Sequence, residues 1–256
     1  EIIGETKAGM QMRMQGSGNA VGVAELTAQI NESGAIRKRI SGRGFYSFLD
    51  DAYKNFDEKK EALVDGMKRA AEKIFAKCNL LVSYTADDKG YELAKGLIGE
   101  LVNTLKSDEL PVVSRKLELK KTKLALKTSG QVNFVCRVGD YSKAGITYTG
   151  AMRILASMMN SDYLWNNIRV KGGAYGCGAA FGGFASTLGA FTSYRDPNLA
   201  KTNEIYESAP EYVQSFEADE REMTKYVIGT ISELDIPKNP AAKGAASFDA
   251  YVSGLT

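Results

Sequence analysis

The stretch that decides the fold is residues 163–181, YLWNNIRVKGGAYGCGAAF. The glycine pair Gly172-Gly173 divides it into two parts. Glycine takes the left-handed conformation that ends a helix without a Cβ penalty. We therefore predict a short helix over residues 163–169, a stop at the glycine pair, and a strand over residues 175–181.

The chain before this stretch continues the alternation of helix and strand. Residues 146–160 place apolar side chains on one helical stripe, which is typical of a helix packed on a core. Residues 117–126 and 132–137 have the composition and alternation of strands. We expect helices and strands to alternate through this region.

The chain after this stretch begins with a second strand, predicted over residues 187–194 and joined to the first through Gly182-Gly183. Asp196-Pro197 predicts a helix start, with aspartate as the N-cap and proline at the first helical position. A further helix is expected from Asp219 or Glu220 to about Leu234. Helices therefore follow the strands as well as precede them.

The first 106 residues contain a separate set of signals. Residues 55–75 form an amphipathic pattern that predicts a helix, and residues 80–85, LLVSYT, predict a short buried strand. Asp87-Asp88 then open a second helix, in which leucines recur every four residues: Leu93, Leu97, Leu101 and Leu105. The local order is helix, strand, helix.

These patterns predict an α+β protein made of two-layer units, each a mixed or antiparallel sheet with helices packed on one face. The polar stretch 107–114, SDELPVVS, is broken by Pro111 and is the best candidate for a linker. We therefore expect one unit over residues 1–106 and another over residues 115–256.

Composition excludes several classes of function. The 33 basic and 31 acidic residues give a net charge of +2, which disfavours nucleic-acid binding, and no apolar run is long enough for a membrane span. The three cysteines lack metal-site spacing and indicate reduced thiols, so we expect a cytoplasmic location. The chain has no histidine, so neither a serine or cysteine triad nor a usual peptidase zinc site can be complete in it.

The glycine-rich run 172–178 allows two interpretations from its residues alone. A phosphate-binding loop fails in detail, because the run follows a helix and enters a strand and has no Gly-Lys-Ser/Thr ending. The alternative is a structural turn. Arg169 and Tyr175 flank it and could project a guanidinium and a phenol into one cleft, where they could bind a peptide carbonyl or an oxyanion. We expect Trp165, the single tryptophan, to have a packing role.

Residues 163–176 and the hexapeptide Ser193-Tyr194-Arg195-Asp196-Pro197-Asn198 resemble the last quarter of presequence proteases and falcilysin-like enzymes, a branch of the insulinase-like zinc peptidases. Residues 55–60 and 80–85 resemble the family at the expected order and separation. Residues 1–40 match least well.

The resemblance implies a peptidase of two hinged halves that enclose a chamber, each half built from two α+β units. The zinc, bound through an inverted H-x-x-E-H motif, would lie in the N-terminal half, which would be the partner of this chain. No residue here is expected to bind metal. Arg169 and Tyr175 match the arginine and tyrosine that contact substrate carbonyls and the tetrahedral intermediate, and Gly172 and Gly173 would shape the turn that holds them.

By the same resemblance, residues 1–106 would be the latter part of the third unit and residues 115–256 most of the fourth, truncated at its C-terminal end. We expect the chain alone to be inactive and capable of self-association. The leading hypothesis is a substrate-binding, chamber-forming portion of a zinc metalloendopeptidase that degrades peptides. A non-catalytic scaffold subunit of the same fold is the alternative, and a stand-alone ligand-binding protein that uses the glycine turn is a remote third.

Overall fold

The computed structural model describes residues 1–107, 111, 113, 116–182 and 186–254. The chain divides into two compact units, one from residues 1–53 and 116–235 and the other from residues 54–115 and 236–256. The predicted linker lies mostly outside the described residues, so units 1–106 and 115–256 stay predictions. Gly183 of the predicted Gly182-Gly183 turn also lies outside them.

The regular elements of the described residues are mostly helical. The α-helices are α1 (Ile2–Gly16), α2 (Gly18–Thr27), α3 (Glu32–Ile40), α4 (Arg43–Lys54), α5 (Phe56–Ile74), α6 (Asp88–Thr104), α7 (Ala151–Met158), α8 (Leu199–Glu207), α9 (Ala209–Ser215), α10 (Glu220–Leu234) and α11 (Pro240–Val252). The strands are β1 (Cys136–Asp140), β2 (Gly176–Phe181) and β3 (Leu188–Tyr194). Two π-helical segments, Met159–Tyr163 and Trp165–Val170, follow α7.

The three strands form one antiparallel sheet in the first unit, in the order β1-β3-β2. Cys136 of β1 pairs with Thr192, and Gly176 of β2 pairs with Tyr194. This sheet and the surrounding helices confirm the predicted α+β class. The boundaries predicted for β2 and β3 are each within one residue of those observed, whereas β1 begins four residues later than predicted.

Helical residues contact both faces of this sheet. On one face Gly22 of α2 lies so close to Cys136 that an added Cβ would be 2.8 Å from its Sγ. On the other face Ala179 and Phe191 pack with Leu164 in the core. We expected helices packed on one face. Helix α2, which covers the second face, belongs to residues 1–40, for which we predicted no helix or strand.

The core of the first unit lies beneath the π-helical segments. Leu164 is fully buried, and Met159 and Ile168 are each 1% exposed. Hydroxyl groups at its border bond to backbone carbonyls, since Tyr163 donates to Ile205 O at 2.6 Å and Tyr206 to Val135 O at 3.2 Å. This packing fixes the helical chain that enters the Gly172-Gly173 turn.

Two predicted strands are not strands in the structure. Residues 80–85 and 117–126 have no hydrogen-bonded partner strand among the described residues. In the second case the side chains of the α2–α3 region bond the backbone instead, because Leu117 N donates to Glu32 Oε1 at 3.1 Å and Thr122 N to Gln29 Oε1. Strand propensity alone cannot supply a partner.

The predicted helices are largely present, with corrections at their ends. Helices α5, α6 and α10 confirm the expected segments, and Asp87 and Asp219 cap α6 and α10 through their side chains. The helix predicted from Asp196 begins only at Leu199, with Asn198 at its N-cap position. The helix predicted over residues 146–160 begins at Ala151.

The second unit contains α5, α6 and α11. An isolated bridge pairs Ala76 with Lys106, and α11 approaches residues 80–85 so closely that a Cβ on Gly244 would overlap Thr85. The apolar stripes of α5 and α6 are exposed in the structure, with Met67 at 65% and Leu93 at 70%. Within the described residues, no helix combines the length and apolar character needed to cross a membrane.

Candidate functional site

The glycine pair forms the turn predicted from the sequence. Gly173 has φ +78°, a conformation that L side chains rarely adopt, and its N–H donates to Arg169 O at 2.9 Å. A Cβ on Gly172 would lie 2.5 Å from Ile168 O. Both positions therefore require glycine, one for its backbone angle and one for its lack of a side chain.

Arg169 lies in the π-helical segment Trp165–Val170, which enters this turn. π-Helical turns are rare and occur frequently at functional sites. The wider turn brings side chains four residues apart nearly above one another, and the Arg169 guanidinium lies 4.6 Å from the centroid of the Trp165 ring. Such stacking holds a cation in place while its N–H donors stay available.

Tyr175 lies on the opposite side of the turn, just before β2. Its ring centroid is 5.4 Å from the Arg169 guanidinium, and the side chain is 67% exposed. Its N–H donates to Tyr194 O at 3.0 Å, which fixes its backbone to the end of β3. The structure thus brings together the two side chains that the sequence singled out.

A second turn, residues 195–198, braces the first. The Asn198 side chain donates to Gly172 O, and the fully buried Asp196 accepts hydrogen bonds from Asn198 N at 2.8 Å and Thr202 Oγ1 at 2.6 Å. The Asp196 backbone also pairs with Asn133. Asp196 therefore anchors the turn from inside rather than capping α8 as predicted.

The two turns border one open concavity of about 490 Å³. Its lining consists of Trp165, Arg169, Val170, Gly173, Ala174, Tyr175 and Arg195. These described residues include two guanidinium groups and no carboxylate. The concavity is therefore suited to carbonyl oxygens or anions.

Two side chains of the lining that can contact a ligand through a ring or a charge, those of Trp165 and Arg195, were not predicted as site residues. Trp165 was expected to pack, but it is 44% exposed and stacks on Arg169. Arg195 lies in the hexapeptide 193–198 that resembles the family, but no role was predicted for it. Its position between a predicted strand and an Asp-Pro turn could have indicated a binding residue, because binding residues commonly lie on the loops that join regular elements.

The cysteine near this site is poorly suited to nucleophilic chemistry. Burial raises the pKa of the Cys177 thiol to about 11, and the nearby Arg169 charge only partly opposes this shift. Burial likewise raises the pKa of Cys136 to about 11. Both thiols are therefore protonated at neutral pH, and the thiolate is the reactive form.

A zinc ion does not fit the described residues of this chain. The sequence has no histidine, and no group of three or more Cys, Asp and Glu side chains in the described ranges could hold a metal ion. The concavity is lined by the guanidinium groups of Arg169 and Arg195 and by the phenol of Tyr175. Guanidinium and phenol groups both donate hydrogen bonds.

Comparisons with known proteins agree with the sequence resemblance. The PreP C-terminal domain family model matches residues 123–256. Across the whole chain, the sequence is 37% identical to Protein HypA of Clostridium perfringens and 29% identical to presequence protease 1, chloroplastic/mitochondrial, of Arabidopsis thaliana. It is also 24% identical over 94% of its length to the mitochondrial presequence protease of Saccharomyces cerevisiae.

The chain spans about a quarter of the length of these curated relatives: 26% of the Clostridium protein, 24% of the Arabidopsis protein and 25% of the yeast protein. The family model covers more than half of the chain and includes the β-sheet, both turns and the concavity. The chain therefore belongs to the family of the PreP C-terminal domain, in the presequence-protease branch of the insulinase-like peptidases.

Proposed function

We propose that this chain is the substrate-binding, chamber-forming C-terminal portion of a zinc metalloendopeptidase that degrades peptides. The observation that carries the proposal is the stacked pair of Arg169 and Tyr175 on one concavity, held by the Gly172-Gly173 turn. Relatives of this chain are named presequence proteases, which supports the proposal that the intact polypeptide is a peptidase.

The roles follow from the chemistry of the two side chains. In our proposal Arg169 donates to the carbonyl oxygen of the bound peptide, and the Tyr175 hydroxyl donates to the oxyanion that forms when that carbonyl is attacked. Donors fixed in advance stabilise a developing charge without reorganisation, and loss of one such donor typically costs about 10²–10³ in rate. Arg169 is stacked between Trp165 and Tyr175, which holds its guanidinium in position as this role requires.

The proposed zinc would be bound by the N-terminal half of the same polypeptide, outside this chain, and would activate the attacking water. This chain's residues would bind and orient the peptide and stabilise negative charge on it. On this proposal the 256 residues alone hydrolyse no peptide. A cytoplasmic location stays a prediction, since the names of several relatives place those proteins in mitochondria or chloroplasts.

The test is peptide hydrolysis by the intact polypeptide that carries this chain, compared with its Arg169→Gln variant. We expect kcat/KM to fall about 100-fold, the effect of losing one fixed donor. Lys171→Gln is the matched control, because Lys171 is an exposed cation two residues away that does not line the concavity. Equal kcat/KM for the Arg169 and Lys171 variants would remove the proposed role.

A further inference from the structure

Arg195 has an unusual backbone conformation at the edge of the concavity. Its φ is +48°, and it is the single non-glycine residue with positive φ in the described part of the chain. A non-glycine residue in this region costs free energy, and such residues cluster at functional sites. The buried Asp196 and the Asn133 bridge fix the chain directly after it.

The Arg195 side chain belongs to a row of neighbouring aromatic and guanidinium groups. The row runs from Trp165 through Arg169, Tyr175 and Tyr194 to Arg195. The Arg195 guanidinium lies 5.7 Å from the Tyr194 ring, and the Tyr175 and Tyr194 ring centroids are 6.0 Å apart. Arg195 is therefore placed in the same row as the proposed substrate-contacting pair.

The charges around Arg195 leave its guanidinium without an acidic partner. In the described part of the chain it forms no ion pair, and no carboxylate lines the concavity. The carboxylate of the neighbouring Asp196 is buried, and its two oxygens accept from Asn198 N and Thr202 Oγ1. The N–H donors of Arg195 are thus available to a ligand, and a carboxylate is the group that matches the planar guanidinium in a bidentate pair.

Arg195 is also placed beside Tyr175 by the backbone. Tyr175 N donates to Tyr194 O and, at 3.4 Å, to Arg195 O, one residue beyond the last β2–β3 pair. A peptide whose carbonyl contacts Arg169 and Tyr175 would therefore pass close to Arg195.

We propose that Arg195 is a specificity residue that binds a carboxylate of the peptide held by Arg169 and Tyr175. The carboxylate belongs either to an acidic side chain or to the C-terminus of the peptide. This inference rests on the proposed function, because it requires that the concavity binds peptides.

The test uses the 256-residue chain and the fluorescence of Trp165, which is the single tryptophan and lines the concavity. The probes are nonapeptides that are blocked at both ends and carry no charge except for a single Glu. The Glu is placed at a different position in each peptide, and each Glu peptide is paired with a neutral counterpart that has Gln at that position. A further pair compares a free C-terminal carboxylate with a C-terminal amide in an otherwise neutral peptide. The Glu and C-terminal arms distinguish the two sources of the carboxylate.

We expect one Glu position, or the free C-terminus, to bind the wild-type chain about fivefold more tightly than its neutral counterpart, the ratio that an exposed ion pair can supply. Arg195→Gln abolishes this preference, so that each carboxylate peptide binds the variant no more tightly than its neutral counterpart does. Lys171→Gln, which removes the same charge outside the concavity, keeps the preference. High salt weakens the preference in the wild-type chain.

Several results would overturn the inference. If every carboxylate peptide binds as tightly as its neutral counterpart, the inference about Arg195 is wrong and the proposed function is unaffected. The same holds if the preference for a carboxylate survives Arg195→Gln. Failure of the neutral peptides to bind, or their equal binding to wild type and Arg169→Gln, overturns the proposed function and this inference together.

Discussion

The two units use the same kind of amphipathic helix with different outcomes. In the first unit Leu164 is fully buried in a core with Ile168 and Met159, whereas Leu97 on the leucine stripe of α6 is 59% exposed. Ala76 is the single buried apolar side chain in the described part of the second unit. A periodic pattern therefore identifies the apolar face of a helix but does not show whether anything covers it.

The same substitution in both units tests this contrast most strongly. Leu164→Ala removes fully buried methyl groups, and we expect the free energy of unfolding to fall by about 3 kcal/mol. Leu97→Ala removes an exposed side chain, and we expect a change below about 0.5 kcal/mol. Urea unfolding followed by far-ultraviolet circular dichroism measures both, and equal losses would show that the α6 stripe is covered in solution.

The two units also differ in the burial of their ion pairs. Glu25, 2% exposed in the first unit, pairs with Lys38 at 2.9 Å and with Arg43 at 3.0 Å. Burial alone would raise its pKa, but the hydrogen bonds from Arg43 and Lys38 outweigh burial and hold the pKa below the ordinary 4.5. The ion pairs that are resolved in the second unit, such as Lys106 with Glu72 at 3.7 Å, are exposed.

Glu25→Gln should therefore destabilise the first unit by about 2 kcal/mol at pH 7. Because the folded-state pKa lies below the unfolded one, the stabilisation is complete above about pH 4.5 and is lost as the pH falls through the folded value. Thermal unfolding between pH 7 and pH 3 should show the two proteins converging at the acid end. Glu5→Gln, a change at an exposed position in α1, should have little effect, and a constant difference at all pH values would contradict the ionic origin.

Thiol reactivity gives a smaller contrast. Cys78 is exposed in the second unit, whereas Cys136 and Cys177 are half-buried in the first, with pKa values raised by burial to about 11. We expect a thiol reagent at pH 8 to modify Cys78 at least about tenfold faster than the other two. Peptide mapping after timed quenching measures the order, and early labelling of Cys177 would contradict the described burial.

Local signals predicted much of the fold. The caps and periodicity of α6 and α10 located those helices, and the glycine pair located the end of the helix that carries Arg169. Helix α4 was missed although Phe45, Leu49 and Ala52 repeat with helical spacing, and Leu49 and Ala52 are buried. In α1 the apolar residues follow no regular helical repeat, so the same method finds little there.

The errors concern properties that depend on distant parts of the chain. Residues 80–85 have strand composition, but a strand requires a partner that composition does not supply. At the site, the sequence identified Arg169 and Tyr175 but not the π-helical geometry that stacks Trp165 on Arg169. The contribution of Arg195 depends on the β2–β3 register and on the burial of Asp196, and neither is visible in a local pattern.

The most direct test of the central claim is a double-mutant cycle on peptide hydrolysis by the intact polypeptide, with Arg169→Gln and Tyr175→Phe. If the stacked pair acts on one reacting carbonyl, each single change lowers kcat/KM about 100-fold, and the double change costs far less than the product of the two losses. All three variants should keep the thermal stability of the wild type. Values of kcat/KM within twofold of wild type in all three variants would contradict the claim that Arg169 and Tyr175 contact the substrate.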